Sequence, residues 1–163
     1  MNATNHIIMA LEIERKYLVK KYIDFAKIAE SKHEICQGYL SCNADVTVRV
    51  RIRDNEAFVT VKSRNRGYMR NEWEYRIPLE DGREMLQLPG VLSLSKTRYK
   101  VKYDGHIWEI DVFHGKLEGL VLAEIELSSP EEVFDIPDFV GKEVSDDVRY
   151  FNSNLVKAVC VPD

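Results

Sequence analysis

The sequence predicts an α+β fold: an eight-stranded antiparallel closed β-barrel, or tunnel, with a charged lumen and a few helices around it. The first observation is that segments 12–16, 49–53, 72–74 and 124–126 place charged residues at every second position. Strand side chains alternate between faces, so each segment points its charges one way and its apolar residues the other. The second observation is that the opposite faces of three of these strands are apolar and need helices to cover them: Val48-Val50-Ile52, Trp73-Tyr75-Ile77 and Ala123-Ile125-Leu127.

Eight segments alternate in this way and are predicted as strands, mostly sequential and antiparallel. Turn signals such as Asp54-Asn55 and Asp104-Gly105 separate neighbouring segments and are typical of hairpins. The predicted strands are 11–19, 33–42, 46–54, 56–64, 69–79, 94–104, 106–114 and 120–128.

Helices are predicted in the remaining stretches. Segment 22–31 carries apolar residues at helical spacing, and 80–87, 130–140 and 148–159 are further candidates. Asp146 or Asp147 is placed to cap the last of these.

An open sheet with a solvated charged face is the simplest alternative to a barrel. Paired glutamates argue against it, because Glu12 with Glu14, and Glu124 with Glu126, share a face. Such like charges repel unless a cation lies between them. A charged interior that binds cations therefore explains the pattern better than an exposed face.

Length and composition predict one soluble domain over residues 1–163, without a linker. We expect a cytoplasmic protein, since no apolar run approaches the roughly 18 residues of a membrane span and no secretory signal is recognisable. Three cysteines, an odd number without ligand-like spacing, argue against a disulfide framework. A barrel exterior that the helices cover incompletely would support a homodimer.

The net charge of −4 argues against a nucleic-acid partner, which usually requires a strongly basic protein. On the predicted strands, however, bases outnumber acids. Positive charge is thus concentrated where the lumen is expected, as a small polyanionic ligand would require.

An ordered set of motifs resembles the CYTH superfamily, the triphosphate tunnel metalloenzymes. It begins with Glu12-x-Glu14-x-Lys16 and runs through Gln37-Gly38-Tyr39-Leu40 and the paired charges of the later strands to a C-terminal Asp-Asp-x-Arg-Tyr-x-Asn-Ser-Asn-Leu segment. The resemblance covers almost the whole chain. It implies an eight-stranded tunnel, dependence on Mg²⁺ or Mn²⁺, and a small-molecule substrate that carries a triphosphate.

The charged residues suit that chemistry. Transfer of a terminal phosphoryl group needs cations on the phosphate oxygens, and arginine and lysine can supply them. The predicted clamp consists of Arg49, Arg51, Lys62, Lys96 and Arg98. Carboxylates would repel the substrate unless a metal intervenes, and Mg²⁺ prefers oxygen ligands. The predicted metal ligands are Glu12, Glu14, Asp111, Glu124 and Glu126.

Four residues are candidates for catalysis. Glu72 and Glu74 could hold the waters of a second metal ion or orient the attacking water. The segment around Tyr39 resembles the short bacterial inorganic triphosphatases, which implies that Tyr39 pairs with Lys16. Arginines around Lys16 would disfavour its ammonium form and let Lys16 or Tyr39 help to activate water. Phosphate binding by Lys16 and simple packing of Tyr39 are the alternatives.

The predicted reaction is hydrolysis of inorganic tripolyphosphate to pyrophosphate and orthophosphate. The resemblance also leaves open a class IV adenylate cyclase, which makes cyclic AMP and pyrophosphate from ATP, and a thiamine or nucleoside triphosphatase. A polyphosphate- or nucleotide-binding module without activity is the third class. The acidic strands count against that module, because binding alone does not need them.

Overall fold

The computed structural model describes residues 13–21, 23–43, 45–64 and 71–162. These residues form two compact units. Unit one comprises the described residues of 37–93, and unit two comprises 13–36 and 94–162. Strand β2 (Ser31–Cys42) contributes residues to both units. The single domain predicted for 1–163 stays a prediction.

Unit one is an antiparallel meander covered by one helix. Strands β3 (Val46–Arg53), β4 (Glu56–Ser63) and β5 (Glu72–Ile77) pair in sequence, and α1 (Leu79–Leu86) follows. A Cβ at Gly82 of α1 would lie only 2.6 Å from Cβ of Ala57, so the missing side chain allows close approach of helix and strand. The helix thereby covers the apolar face of this meander.

Unit two contains the other five strands. They are β1 (Ile13–Val19), β6 (Ser93–Tyr103), β7 (His106–Phe113), β8 (Val121–Leu127) and β9 (Val140–Glu143). The turn between β6 and β7 has positive φ at both Asp104 and Gly105, the conformation of a type I′ hairpin. The hairpin predicted from this Asp-Gly pair is confirmed.

The hydrogen-bonded strand order is β5-β4-β3-β2-β6-β7-β8-β1-β9. All eight predicted strands are present within a few residues of their predicted ends, but the count of eight is wrong. The ninth strand, β9, is a four-residue edge strand that pairs with β1. Within the described residues no ladder joins β5 to β9, so the sheet is not closed by hydrogen bonds. The closed barrel therefore stays a prediction.

The helices are shorter than predicted. Helix α1 matches the predicted 80–87, whereas 22–31 forms only a 3-10 turn at Phe25–Lys27 among its described residues. The predicted helix at 130–140 is wrong: that stretch is irregular until β9 begins. Segment 148–159 holds a 3-10 turn at Val148–Tyr150 and the short α2 (Asn152–Leu155). Asp147 caps that turn by accepting a hydrogen bond from the backbone N–H of Arg149.

The core of unit two lies on the face of the sheet opposite the charges. Trp108 of β7 is fully buried opposite Ile125 of β8, and its ring packs against Tyr17 of β1 and Phe134. Phe25 packs edge-on against Phe139 in the same core. The alternation of the strands therefore separates an apolar core from a charged face. No helix in the described part of the chain is long and apolar enough to cross a membrane.

Candidate functional site

Antiparallel register brings the charged residues of unit two together. Lys16 of β1 is paired with Glu124 of β8, which is paired in turn with Glu109 of β7. Arg98 of β6 lies opposite Asp111 of β7. Residues directly opposite each other share a face of the sheet. We call Lys16, Lys96, Arg98, Asp111 and Glu124 the lysine cluster.

Asp111 is the buried centre of this cluster. Both of its oxygens accept hydrogen bonds from Arg98, each at 2.6 Å, and Lys96 also donates to Oδ2. Burial opposes the charge of Asp111, but Arg98 and Lys96 outweigh burial and lower its pKa. Predicted as a metal ligand, Asp111 has both oxygens engaged by cations. In this structure it is their counter-ion.

Lys96 and Arg98 differ in their protonation. Burial lowers the pKa of the fully buried Lys96 to about 8; Asp111 opposes this shift and Arg98 adds to it. Lys96 still carries its charge at neutral pH. Burial also disfavours the charge of Arg98, but Asp111, Glu124 and Glu109 outweigh burial and raise its pKa. Arg98 is therefore a permanent cation, whereas the charge of Lys96 is weakened by its burial.

Lys16 does not have the surroundings predicted for it. Its nearest charged groups are carboxylates: Nζ lies 2.8 Å from Glu124 and 3.5 Å from Glu14. Burial lowers the pKa of Lys16, but these two carboxylates outweigh burial and the net shift is upward. The expectation of a disfavoured ammonium was thus wrong for Lys16. The lysine with a lowered pKa is Lys96, where burial is the main cause and the neighbouring Arg98 adds to it.

The acidic residues of β1 and β8 lie next to one another. Glu14 is the register partner of Glu126, an unfavourable pairing of like charges. The surrounding protein removes water from the Glu14 carboxyl and so raises its pKa, and the charge of Glu124 adds to the shift. Glu12, the remaining predicted ligand, lies outside the described residues. Among those described, no group of three His, Cys, Asp or Glu residues is arranged to hold a metal ion.

Unit one carries a second charged group, which we call the arginine cluster: Gln37, Arg49, Arg51, Thr60 and Glu74. The guanidinium of Arg51 donates to the amide oxygen of Gln37 at 3.2 Å. Arg49 donates to the hydroxyl of Thr60 at 3.1 Å, and this hydroxyl donates to Glu74 at 2.8 Å. Fully buried neutral side chains thus orient both predicted arginines.

The other predicted residues of unit one are also placed by partners. Lys62 pairs with Glu72 at 2.7 Å across β4 and β5. Tyr39 lies on β2, and its hydroxyl accepts a long hydrogen bond of 3.5 Å from Gln37. Tyr39 and Lys16 belong to different units, and their pairing stays a prediction.

Three neutral residues in these clusters received no role from the sequence. Gln37, Thr60 and Asn152 all stand inside the motifs that carry the family resemblance, but polar uncharged side chains are common on strands and helix ends. The signal that distinguishes them is burial beside a cation: Gln37 and Thr60 are fully buried, and Asn152 accepts from the buried Lys96 at 3.3 Å. Charge patterning alone does not reveal this.

The two clusters suit one class of ligand. Arginine and lysine side chains whose orientation is set by buried acceptors are preorganised donors for phosphate oxygens. Carboxylates that face each other across β1 and β8 are oxygen donors for a hard divalent cation. Each cluster thus offers cations for phosphate, and the carboxylates of unit two also offer ligands for a divalent metal ion.

Comparison with known proteins agrees with this chemistry. The model of the CYTH domain matches residues 10–156. An inorganic triphosphatase of Acetivibrio thermocellus is 43% identical over 152 residues, which cover 91% of this chain and 95% of that protein. One from Nitrosomonas europaea is 36% identical over 152 residues, covering 91% and 98%. The crystal structure of the inorganic triphosphatase NE1496, 35% identical, matches with a TM-score of 0.69 over 93% of this chain and 98% of its own.

Proposed function

This chain belongs to the CYTH domain family, and we propose that it hydrolyses inorganic tripolyphosphate to pyrophosphate and orthophosphate with the help of a divalent metal ion. The observation that carries the proposal is the lysine cluster, in which Asp111 holds Lys96 and Arg98 beside carboxylates of β1 and β8. Two relatives named inorganic triphosphatase, 43% and 36% identical over nearly their full length, support the choice of substrate.

Lysine and arginine side chains bind the phosphate chain. In unit two, Lys96 and Arg98 contact phosphate oxygens, and Lys16 does so as an ammonium because its pKa is raised. In unit one, the corresponding groups are Arg49, Arg51 and Lys62, whose orientation supports bidentate or point contacts with phosphate. Charge-assisted contacts of this kind stabilise the negative charge that shifts during phosphoryl transfer.

The described carboxylates available for a metal are Glu14 and Glu126, with Glu12 as predicted from the sequence, since both oxygens of Glu124 pair with Lys16 and Arg98 in this structure. Their chemistry fits Mg²⁺ or Mn²⁺, because both prefer oxygen ligands. Mg²⁺ commonly uses only one or two carboxylates, with waters and substrate phosphates completing its shell. The described residues hold no group of three ligands, and a site of one or two carboxylates is consistent with this metal. When bound, the ion would neutralise phosphate charge and reduce the repulsion between Glu14 and Glu126.

Hydrolysis itself requires a water molecule that attacks a terminal phosphorus while the bond to the pyrophosphate oxygen breaks. We assign Glu72 and Glu74 to orienting this water, and Tyr39 with Lys16 to supporting the transfer. Since Lys16 carries a proton at neutral pH, its contribution is electrostatic, and Tyr39 remains the candidate for proton transfer. Asp111 keeps Lys96 and Arg98 in place.

The test is a substrate panel with product analysis. Tripolyphosphate, ATP and thiamine triphosphate are each incubated with Mg²⁺, Mn²⁺ or a chelator, while orthophosphate, pyrophosphate and cyclic AMP are measured. We expect metal-dependent release of orthophosphate, chiefly from tripolyphosphate. Pyrophosphate with cyclic AMP from ATP would show a cyclase instead. Tight binding of triphosphate in chelator without turnover would indicate a binding module.

A further inference from the structure

The stretch from Val144 to Asn152 contacts both lysines of the lysine cluster. The carbonyl oxygen of Lys16 accepts from the N–H of Val144 at 2.8 Å, and the N–H of Lys16 donates to Ser145 Oγ at 2.9 Å. Its ammonium also donates to the carbonyl oxygen of Tyr150 at 3.5 Å. The side chain of Asn152 reaches the second lysine, Lys96. The chain after β9 is thus part of the surroundings of both ammonium groups.

We propose that Asn152 is a positioning residue that directs the ammonium group of Lys96 toward bound phosphate. This inference rests on the proposed function and deepens it, because it assigns a role at the same site to a neutral residue that received none from the sequence.

Two of the three hydrogen-bond donors of Lys96 already have acceptors in this structure. An ammonium group has three N–H donors in a tetrahedral arrangement. Among the described residues, Asp111 and the amide oxygen of Asn152 take two of these donors. Two fixed acceptors determine the direction of the third donor. A contact between that donor and a phosphate oxygen then costs less side-chain conformational entropy than a contact from an unrestrained lysine would.

The side-chain amide of Asn152 is neutral, which distinguishes it from the carboxylates around Lys96. Lys96 already has one carboxylate partner, Asp111, and Glu124 and Glu109 lie within reach of Arg98. A further carboxylate beside Lys96 would compete with phosphate for the ammonium and repel the substrate. An amide oxygen orients the ammonium but adds no negative charge.

Helix α2 is held in place by contacts other than that between Asn152 and Lys96. Leu155 and Val156 are buried, and Lys116 donates to the carbonyl oxygen of Val156. Asn154, two residues after Asn152, donates to the carbonyl oxygen of Val148 at 2.7 Å and so closes the preceding turn. The amide of Asn152 is therefore not needed to anchor the helix, and its orientation toward Lys96 calls for another role.

The experiment compares Asn152→Ala, Asn152→Asp and Asn154→Ala with the wild-type chain. Steady-state hydrolysis of tripolyphosphate gives kcat and KM, and calorimetry with Mg²⁺ gives the Kd of pyrophosphate. For Asn152→Ala we expect KM and the pyrophosphate Kd to rise about tenfold with kcat nearly unchanged. Asn152→Asp, which keeps the shape and the acceptor, should raise both further. Asn154→Ala should leave both within about twofold.

A purely structural role for Asn152 would give a different pattern. Fewer folded molecules would lower kcat and leave KM unchanged, and Asn154→Ala would act like Asn152→Ala. That result, or wild-type KM and Kd in Asn152→Ala, would overturn the inference. If the wild-type chain hydrolyses no triphosphate, the proposed function fails, and the pyrophosphate Kd still decides the role of Asn152. A wild-type chain that neither hydrolyses triphosphate nor binds pyrophosphate would overturn both.

Discussion

Lys16 and Glu124 are register partners on antiparallel strands, and their side chains form a nearly buried ion pair of 2.8 Å. Each group determines the charge of the other. Burial alone would raise the pKa of Glu124, but Lys16 together with Arg98 and Lys96 outweighs burial, and the pKa falls below its usual value. For Lys16, burial lowers the pKa, but Glu124 together with Glu14 outweighs it and the pKa rises. The lysine of the N-terminal motif is therefore held as a cation by a strand more than one hundred residues later in the chain.

Loss of this pair should destabilise the protein. Glu124→Gln leaves the ammonium of Lys16 nearly buried, and its remaining ion pair among the described residues is with Glu14, at 3.5 Å. Since breaking a buried pair leaves an uncompensated charge, we expect the free energy of unfolding to fall by about 3 kcal/mol. Urea unfolding monitored by circular dichroism measures the change. Glu126→Gln, at the exposed position on the same strand, is the control; an equal loss in both variants would contradict this role of the pair.

The metal assignment predicts loss of activity without loss of stability at two exposed positions. Glu14→Gln and Glu126→Gln remove one carboxylate each from an exposed side chain, so they should abolish metal-dependent turnover and leave the unfolding midpoint unchanged. Orthophosphate release at increasing Mn²⁺ concentration is the measurement. Glu118→Gln, an exposed substitution in the loop before β8, serves as the control. Wild-type turnover in both Glu14→Gln and Glu126→Gln would refute the assignment.

Arg51→Ala should weaken triphosphate binding. Its guanidinium is oriented by the buried Gln37, and loss of a desolvated charge-assisted contact costs about 2 kcal/mol or more, a roughly 30-fold weakening. The rise in KM for tripolyphosphate measures this. Arg53→Ala is the matched control, because Arg53 lies two residues later on the same strand and pairs with Glu56. Equal KM values for Arg51→Ala and the wild-type chain would remove Arg51 from the clamp.

Tyr39→Phe removes only the hydroxyl group. If Tyr39 takes part in proton transfer, kcat should fall by about 100-fold or more, because general acid or base catalysis commonly contributes that much. Single-turnover hydrolysis of tripolyphosphate is the measurement. Tyr75→Phe, at a half-exposed position of β5, is the control. Retained turnover in Tyr39→Phe would reduce Tyr39 to a packing role.

The contact between His106 and Glu132 predicts a pH-dependent contribution to stability. Nε2 of His106 lies 2.9 Å from Glu132, Nδ1 lies 3.1 Å from the carbonyl oxygen of Asp104, and Phe134 packs against the ring. Hydrogen bonding to Glu132 raises the pKa of His106 above its ordinary 6.5. Bonds from Ser128 and His106 lower the pKa of Glu132 to about 2.

The two pKa shifts make stability depend on pH in opposite ways. The stabilisation due to His106 is complete below pH 6.5 and is lost as the pH rises through the raised value, whereas that due to Glu132 is lost as the pH falls from 4.5 toward about 2. We therefore expect the stability difference between wild type and His106→Gln to shrink as the pH rises above 6.5 and through the raised pKa of His106. Thermal unfolding across this range measures it. In a Glu132→Gln background the difference should be small at every pH; a difference that persists there would contradict the pairing.

Local sequence patterns were sufficient for most strands but not for the helices. The alternation in β3, β6 and β8 is a property of adjacent residues, so it is readable without the fold. Segment 22–31 has apolar residues at helical spacing yet forms only a short 3-10 turn, because Phe25 is buried against Phe139 and Tyr99 while its neighbours stay exposed. Strand β9 has no alternating pattern of its own and forms through pairing with β1.

Neighbouring residues were enough to identify the family, the strands and the charged candidates, because strand alternation and motif order are local properties of the chain. The pairing of those charges becomes visible only in the folded protein. The tertiary structure showed that Lys96 and not Lys16 has the lowered pKa, and that both oxygens of Asp111 bind cations. It also placed Asn152 against Lys96 across 56 residues of chain. The energy of a charge depends on its burial and on partners distant in sequence, so these assignments require the folded arrangement.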